Sequence, residues 1–183
     1  MPTLRPLRLV LAAVFAFALI PVGGPALAQA EGQVYLKERH GDWEVRCIAA
    51  QGSEECQLYQ LLRDQDGNPV VVIKIFQLPP GREVRTGGTI IAPLETLLTE
   101  RLRWQVNGGR ALTYPFSFCM AEGCFVQIGF RDEEINQMRA GTTATVTISH
   151  VARPDRPVVL TVSLAGFTKG FAALRQISTN TAE

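Results

Sequence analysis

Histidine is almost missing from this 183-residue chain, which has only His40 and His150. Neither stands at the spacing from a second histidine or a carboxylate that a metal site uses, so they read as solvated or hydrogen-bonded side chains. No G-x-S-x-G turn is present, which removes the nucleophile elbow of an α/β-hydrolase. Gly87-Gly88 and Gly108-Gly109 lack the Lys-Ser/Thr or the spaced glycines of a nucleotide loop and read as turns. Charge of one sign is missing too: 18 basic residues face 17 acidic ones. Without a concentrated Lys/Arg face, nucleic acid is excluded as a partner, and a charged membrane surface has no support. No repeat, low-complexity tract or Ser/Gly-rich linker divides the chain, so one domain is expected.

What is present begins with a leader. Arg5 and Arg8 precede an apolar run from Leu9 to Ile20, a break between Pro21 and Pro25, and small residues ending Ala26-Leu27-Ala28. These are the three parts of a cleavable signal peptide over residues 1–28, with cleavage after Ala28 or after Ala30. Twelve apolar residues fall short of the roughly 20 that span a bilayer. No transmembrane segment is therefore expected once the leader is gone, and the product should be periplasmic or secreted. Removing the leader leaves 16 basic and 17 acidic residues, a formal charge of −1. The remaining residues 29–183 can bury roughly two-thirds of their unfolded surface in one core.

All four cysteines, Cys47, Cys56, Cys119 and Cys124, follow the leader. An even count in an exported chain points to two disulfides. Three pairings are possible, and the two tight clusters favour Cys47–Cys56 and Cys119–Cys124. A redox-active pair is the alternative, but neither cluster has the two-residue spacing of exchange enzymes. Zinc is a weaker alternative, since an oxidising compartment consumes the thiolates it needs.

Alternation dominates the patterning. Residues 31–40 form a polar lead-in, after which Trp43, Val45 and Cys47 alternate with Glu44 and Arg46 as in a half-buried strand. A turn at Gln51-Gly52-Ser53 leads to a strand from Cys56 to Leu62, and Asp66-Gly67-Asn68-Pro69 turns into Val70–Phe76. Further strands are expected at Thr89–Ile91, Arg103–Val106, Leu112–Phe118 and Phe125–Phe130, with hairpin turns at Asn107-Gly108-Gly109 and Ala121-Glu122-Gly123. The stretch from Leu94 to Leu102 fits helix or irregular structure. Asp132 caps a short helix that buries Ile135 and Met138 and ends at Gly141. Strands at Thr142–Val151 and Val158–Leu164 flank a turn at residues 153–157, and a last helix capped by Thr168 buries Phe171 and Leu174. Short strands at regular spacing make an all-β sandwich the expected architecture, with one or two short helices, and a small barrel the second choice.

Few residues in this frame suggest chemistry. Asp132-Glu133-Glu134 in a first helical turn is explained by the helix dipole rather than by paired carboxylates. Arg101 and Arg103 beside Trp104 read as exposed arginines around a core tryptophan, since a single-strand groove needs more positive charge. Catalytic, cofactor-binding and metal residues are thus all expected to be absent. If there is a contact surface, the disulfide hairpin loops, Gln51–Glu55 and Met120–Gly123, are the candidates.

Several ordered motifs remain: Gly41-Asp42-Trp43-Glu44-Val45-Arg46-Cys47 with Cys56, Pro79-Pro80-Gly81 leading to Gly87-Gly88, Phe118-Cys119, Gly123-Cys124, and Ser163-Leu164-Ala165-Gly166-Phe167. In this set the chain resembles the invasion-associated locus B family of bacterial exported proteins. The resemblance implies an immunoglobulin-like β-sandwich, a periplasmic or surface location, no catalytic residues and, in some intracellular pathogens, a part in host-cell invasion. The reading is a non-enzymatic binding or structural module with an envelope or host protein as partner. An envelope hydrolase or a thiol-disulfide protein is the alternative.

Overall fold

A computed structural model describes residues 32–50 and 53–180, so the expected leader and its cleavage sites lie outside the described residues. The elements are β1 (Val34–His40), β2 (Trp43–Ala50), β3 (Ser53–Arg63), β4 (Pro69–Gln77), β5 (Thr86–Ala92), β6 (Leu102–Val106), β7 (Leu112–Tyr114), β8 (Phe118–Met120), β9 (Gly123–Phe130), α1 (Asp132–Ala140), β10 (Thr143–His150), β11 (Arg153–Ser163) and α2 (Phe167–Asn180). They form the expected β-sandwich of two antiparallel sheets. The larger runs β1-β2-β3-β4-β5-β9-β8, and the smaller runs β11-β10-β6-β7.

Period-two patterning builds the core directly. In β4 the buried Val71, Ile73 and Ile75 alternate with partly exposed neighbours, and in β10 Ala144, Val146 and Ile148 do the same. The smaller sheet covers part of the larger one, with Trp104 of β6 meeting Phe130 of β9 edge-on at 6.2 Å. Helix α2 lies against β1, β2, β3 and β4. Its Phe167 packs edge-on against Trp43 at 5.3 Å, and Phe171 and Leu174 complete the contact. Burying a Phe or Leu side chain stabilises by about 2 kcal/mol, so this helical face adds substantially to the core.

The structure departs from the sequence reading at several points. Residues 34–40 are not a polar lead-in but the edge strand β1, paired with β2 throughout. Its side chains read as polar because little covers an edge. Gly87 and Gly88 are not turns; they lie inside β5. A Cβ at Gly87 would sit 2.5 Å from the Phe76 ring, and one at Gly88 would sit 2.4 Å from the Phe130 ring. Here glycine makes room for aromatic rings. The expected strand Leu112–Phe118 is split into β7 and β8 in different sheets. Pro115 lies between them and has no N–H for a ladder bond.

The turn after β10 is at Val151-Ala152, since Arg153 already pairs with His150. Val158 pairs with Ile148, so residues 154–157 bulge from the strand instead of forming the turn. Asp132 is the first residue of α1 rather than its cap, and the Glu134 carboxylate accepts the Arg131 N–H at 2.7 Å. Thr168 lies within α2, and its hydroxyl donates to the Arg139 carbonyl at 3.2 Å. The stretch after Pro93 is irregular, tied to β10 by a bridge between the buried Thr96 and His150.

Candidate interaction surface

His40 ends β1 on the core side of the larger sheet, opposite Trp43. With Gly41, Leu164, Gly166, Thr168 and Lys169 it lines a hollow of about 410 Å³. No carboxylate is among these lining residues, and the Thr168 hydroxyl is already donated to Arg139. The His40 Nε2 lies 2.8 Å from Glu38. Residues two apart on a strand share a face, so this partner follows once residues 34–40 are a strand, which the sequence reading did not expect. His150 belongs to the other sheet, and its Nε2 lies 2.7 Å from Glu95. The two histidines share no partner, and the structure does not assemble them into one site.

The acidic run of α1 is used locally. Glu134 accepts the Arg131 N–H and also the Tyr114 hydroxyl at 3.1 Å. Burial, with the nearby Glu134 charge, raises the Tyr114 pKa. Arg101 and Arg103 are exposed while Trp104 is buried.

The cysteines are bonded Cys47–Cys56 and Cys119–Cys124. Each bond joins directly opposed residues of neighbouring strands. Cys47, Glu54 and Cys56 bring ligand atoms within 4.8 Å of one another, but the two sulfurs are bonded to each other, so no thiolate is offered to a metal. Glu54 instead takes the Tyr35 hydroxyl and the Lys37 ammonium. The hydrogen bond from Lys37, then that from Tyr35, lowers the Glu54 pKa. Along the strand register Cys124 lies level with Leu62, six residues beyond Cys56, a step of about 20 Å. Of the expected contact loops, Gln51–Glu55 and Met120–Gly123, Gln51 and Gly52 lie outside the described residues; the described Glu54 and Glu55 and the Met120–Gly123 turn are at opposite ends of the sheet. They offer two small surfaces and not a common one.

A more extensive surface lies on the side of the larger sheet turned away from the core. Leu61, Val72, Ile91, Phe125 and Phe118 stand opposite one another across β3, β4, β5, β9 and β8, forming one apolar row over five strands. Ile91 in the middle of the row is buried and Leu61, Val72 and Phe125 are half-buried, so the row opens to solvent chiefly at the free edge, where Phe118 stacks on Phe125 at 4.9 Å, and Phe118 and Met120 are 43% and 54% exposed. Beside it runs a polar row of Arg39, Glu44, Tyr59, Lys74, Thr89 and Gln127. At the far end of the sheet, Phe76 lies over Gly87 and Val84 over Gly129, which closes that part of the face. In β4, β5, β8 and β9 the only charged residue is Lys74. Charged side chains normally populate a solvated sheet face, and an apolar face bordered by polar residues marks an interaction site. The strand-forming run Val70–Phe76 was visible in the sequence, but which of its residues face outward was not, since all but Lys74 are apolar. That five strands align their apolar residues in one row was not, because it depends on register.

Among known proteins, two from Brucella abortus, each named Invasion protein B homolog, one from strain 2308 and one from biovar 1 strain 9-941, are 25% identical to the chain over 137 residues, covering 74% of it and 77% of their own length. The crystal structure of invasion associated protein B from Bartonella henselae superposes with a TM-score of 0.69 at 24% identity, over 80% of this chain and 99% of that one. It shows the same fold. The model of the family described as "Invasion associated locus B (IalB) protein" matches residues 43–175, from the tryptophan that anchors the core to the last turns of α2, and the chain belongs to that family.

Proposed function

We propose that the chain is an exported, non-enzymatic protein of the cell envelope, acting as a binding or structural module whose contact surface is the outer face of the larger sheet. The observation that carries this reading is the five-strand apolar row ending at the exposed Phe118, on strands where Lys74 is the only charge. Rigid strands hold such a row without the entropy cost of ordering loops, and a partner burying it gains hydrophobic stabilisation. The leader motif and the two disulfides support an oxidising, exported setting. The class of partner is an envelope protein or a host protein, the latter supported by relatives named as invasion proteins.

A photo-crosslinking amino acid at position 118, with a control at Thr145 on the outer side of the smaller sheet, tests the reading in the producing bacterium. One reproducible protein adduct at position 118 and none at position 145 is the expected result. Equal labelling at both positions, or none at position 118, defeats the proposal.

A further inference from the structure

Resting on that docking reading, we infer that the occupant of the face is a protein segment presenting an acidic side chain beside apolar ones, seated so that its carboxylate meets Lys74. Lys74 lies in the middle of β4, between Tyr59 and Thr89 in register. Among the described residues it forms no ion pair and no side-chain hydrogen bond. Its charged neighbours on the same face are committed elsewhere. Glu44 takes both Arg39 and Arg46, and the Arg46 guanidinium lies 3.5 Å from the centre of the Tyr59 ring. The strands on the other side, β5, β9 and β8, carry no acid.

This arrangement constrains what can cover the face. A wholly apolar partner would strip water from an ammonium group without replacing it, which opposes binding. A second copy in a two-fold, face-to-face contact centred on β4 would set Lys74 against its own copy, and the carboxylate in the same row, Glu44, already holds Arg39 and Arg46, so like charge keeps copies apart. A partner carboxylate solves both problems, and it adds direction to an otherwise non-directional apolar contact. The polar and apolar rows are two residues apart along each strand, about 7 Å. An extended segment with Asp or Glu two residues from Leu, Val or Phe has the same spacing.

Short random peptides displayed on phage are selected on the protein purified from producing cells and re-tested on Lys74→Glu, Lys74→Gln and Phe118→Asp, each checked for its fold by circular dichroism. The expected peptides carry an acidic residue two positions from an apolar one. They lose about tenfold or more in affinity on Lys74→Glu, less on Lys74→Gln, and also weaken on Phe118→Asp. Peptides without an acid, or peptides that Phe118→Asp weakens but Lys74→Glu does not, overturn this inference and leave the docking face standing. Peptides indifferent to all three substitutions, or no enrichment at all, overturn the docking face itself. Co-sedimentation with phosphatidylglycerol vesicles that Lys74→Glu abolishes also overturns the inference, since the ligand of Lys74 would then be a lipid phosphate.

Discussion

Gly41 and Gly166 sit where two stretches of backbone touch. Both have positive φ, 57° and 86°. A Cβ on Gly166 would lie 1.9 Å from the His40 carbonyl oxygen, and one on Gly41 would lie 2.5 Å from that of Ala165. The contact carries hydrogen bonds that close the fold: the Asp42 N–H donates to Ala165 at 3.1 Å, and the Trp43 indole donates to the Ser163 carbonyl at 2.8 Å. The buried Gln60 amide donates to the carbonyls of both Asp42 and Ser163. Gly166→Ala therefore combines backbone strain with a steric clash and should destabilise by about 3 kcal/mol or more, read as a lower urea midpoint. The motif glycines and the tryptophan were visible in the sequence, whereas their mutual contact, across more than a hundred residues, was not. Glu54 supplies a pH dependence. Its pKa is held below the usual 4.5 by Lys37 and Tyr35, so its contribution to stability is complete above that value and is lost as pH falls through the lowered folded-state pKa. Urea titrations from neutral to acidic pH should show this acid loss in the parent and a flatter acid limb in Glu54→Gln.

The disulfides act on single hairpins. Cys47–Cys56 and Cys119–Cys124 span sequence separations of 9 and 5, for which the chain-entropy model gives about 2 to 3 kcal/mol each. Cys47 is fully buried, and Cys119 stands on the exposed edge strand β8. Cys124 is buried as well, but only Cys47 belongs to the main core, with Cys56 packed against it, so replacing Cys47 and Cys56 together with alanine should cost more than replacing Cys119 and Cys124. Equilibrium denaturation of the two double variants measures the difference, and equal losses would refute it. Most strands were legible from alternation and turn residues, since both are local properties. The exceptions share a cause. β1, the glycines within β5 and the break at Pro115 each take their state from what lies across the strand, namely a partner ladder, an aromatic ring or a second sheet.

At the scale of the molecule, the free edges are treated differently. On β1 the edge carries Lys37, Glu38 and Arg39 and a register shift between Leu36 and Glu38. On β11 it bulges over residues 154–157, which include Pro154 and Pro157. Charge, bulges and proline blunt unwanted strand pairing. β8 is blunted only by its shortness: it consists of Phe118, Cys119 and Met120, without charge, bulge or proline, which accords with the proposed contact surface reaching that edge. Export is tested on the whole chain as well. The intact mass of protein recovered from the envelope or medium should correspond to a chain starting at Gln29 or Glu31 with both disulfides closed. A chain that keeps Met1 would refute the expected processing.

The sequence by itself determined the strand-rich class, the two cysteine clusters and the family, because alternation, spacing and ordered motifs are properties of neighbouring residues. Only the tertiary structure decided which strands are neighbours and how far each is shifted along the next. That register aligned five apolar side chains into one row and left Lys74 beside it without a counter-charge among the described residues. It is set by the simultaneous packing of two sheets and α2 around a shared core, which no local stretch of sequence specifies.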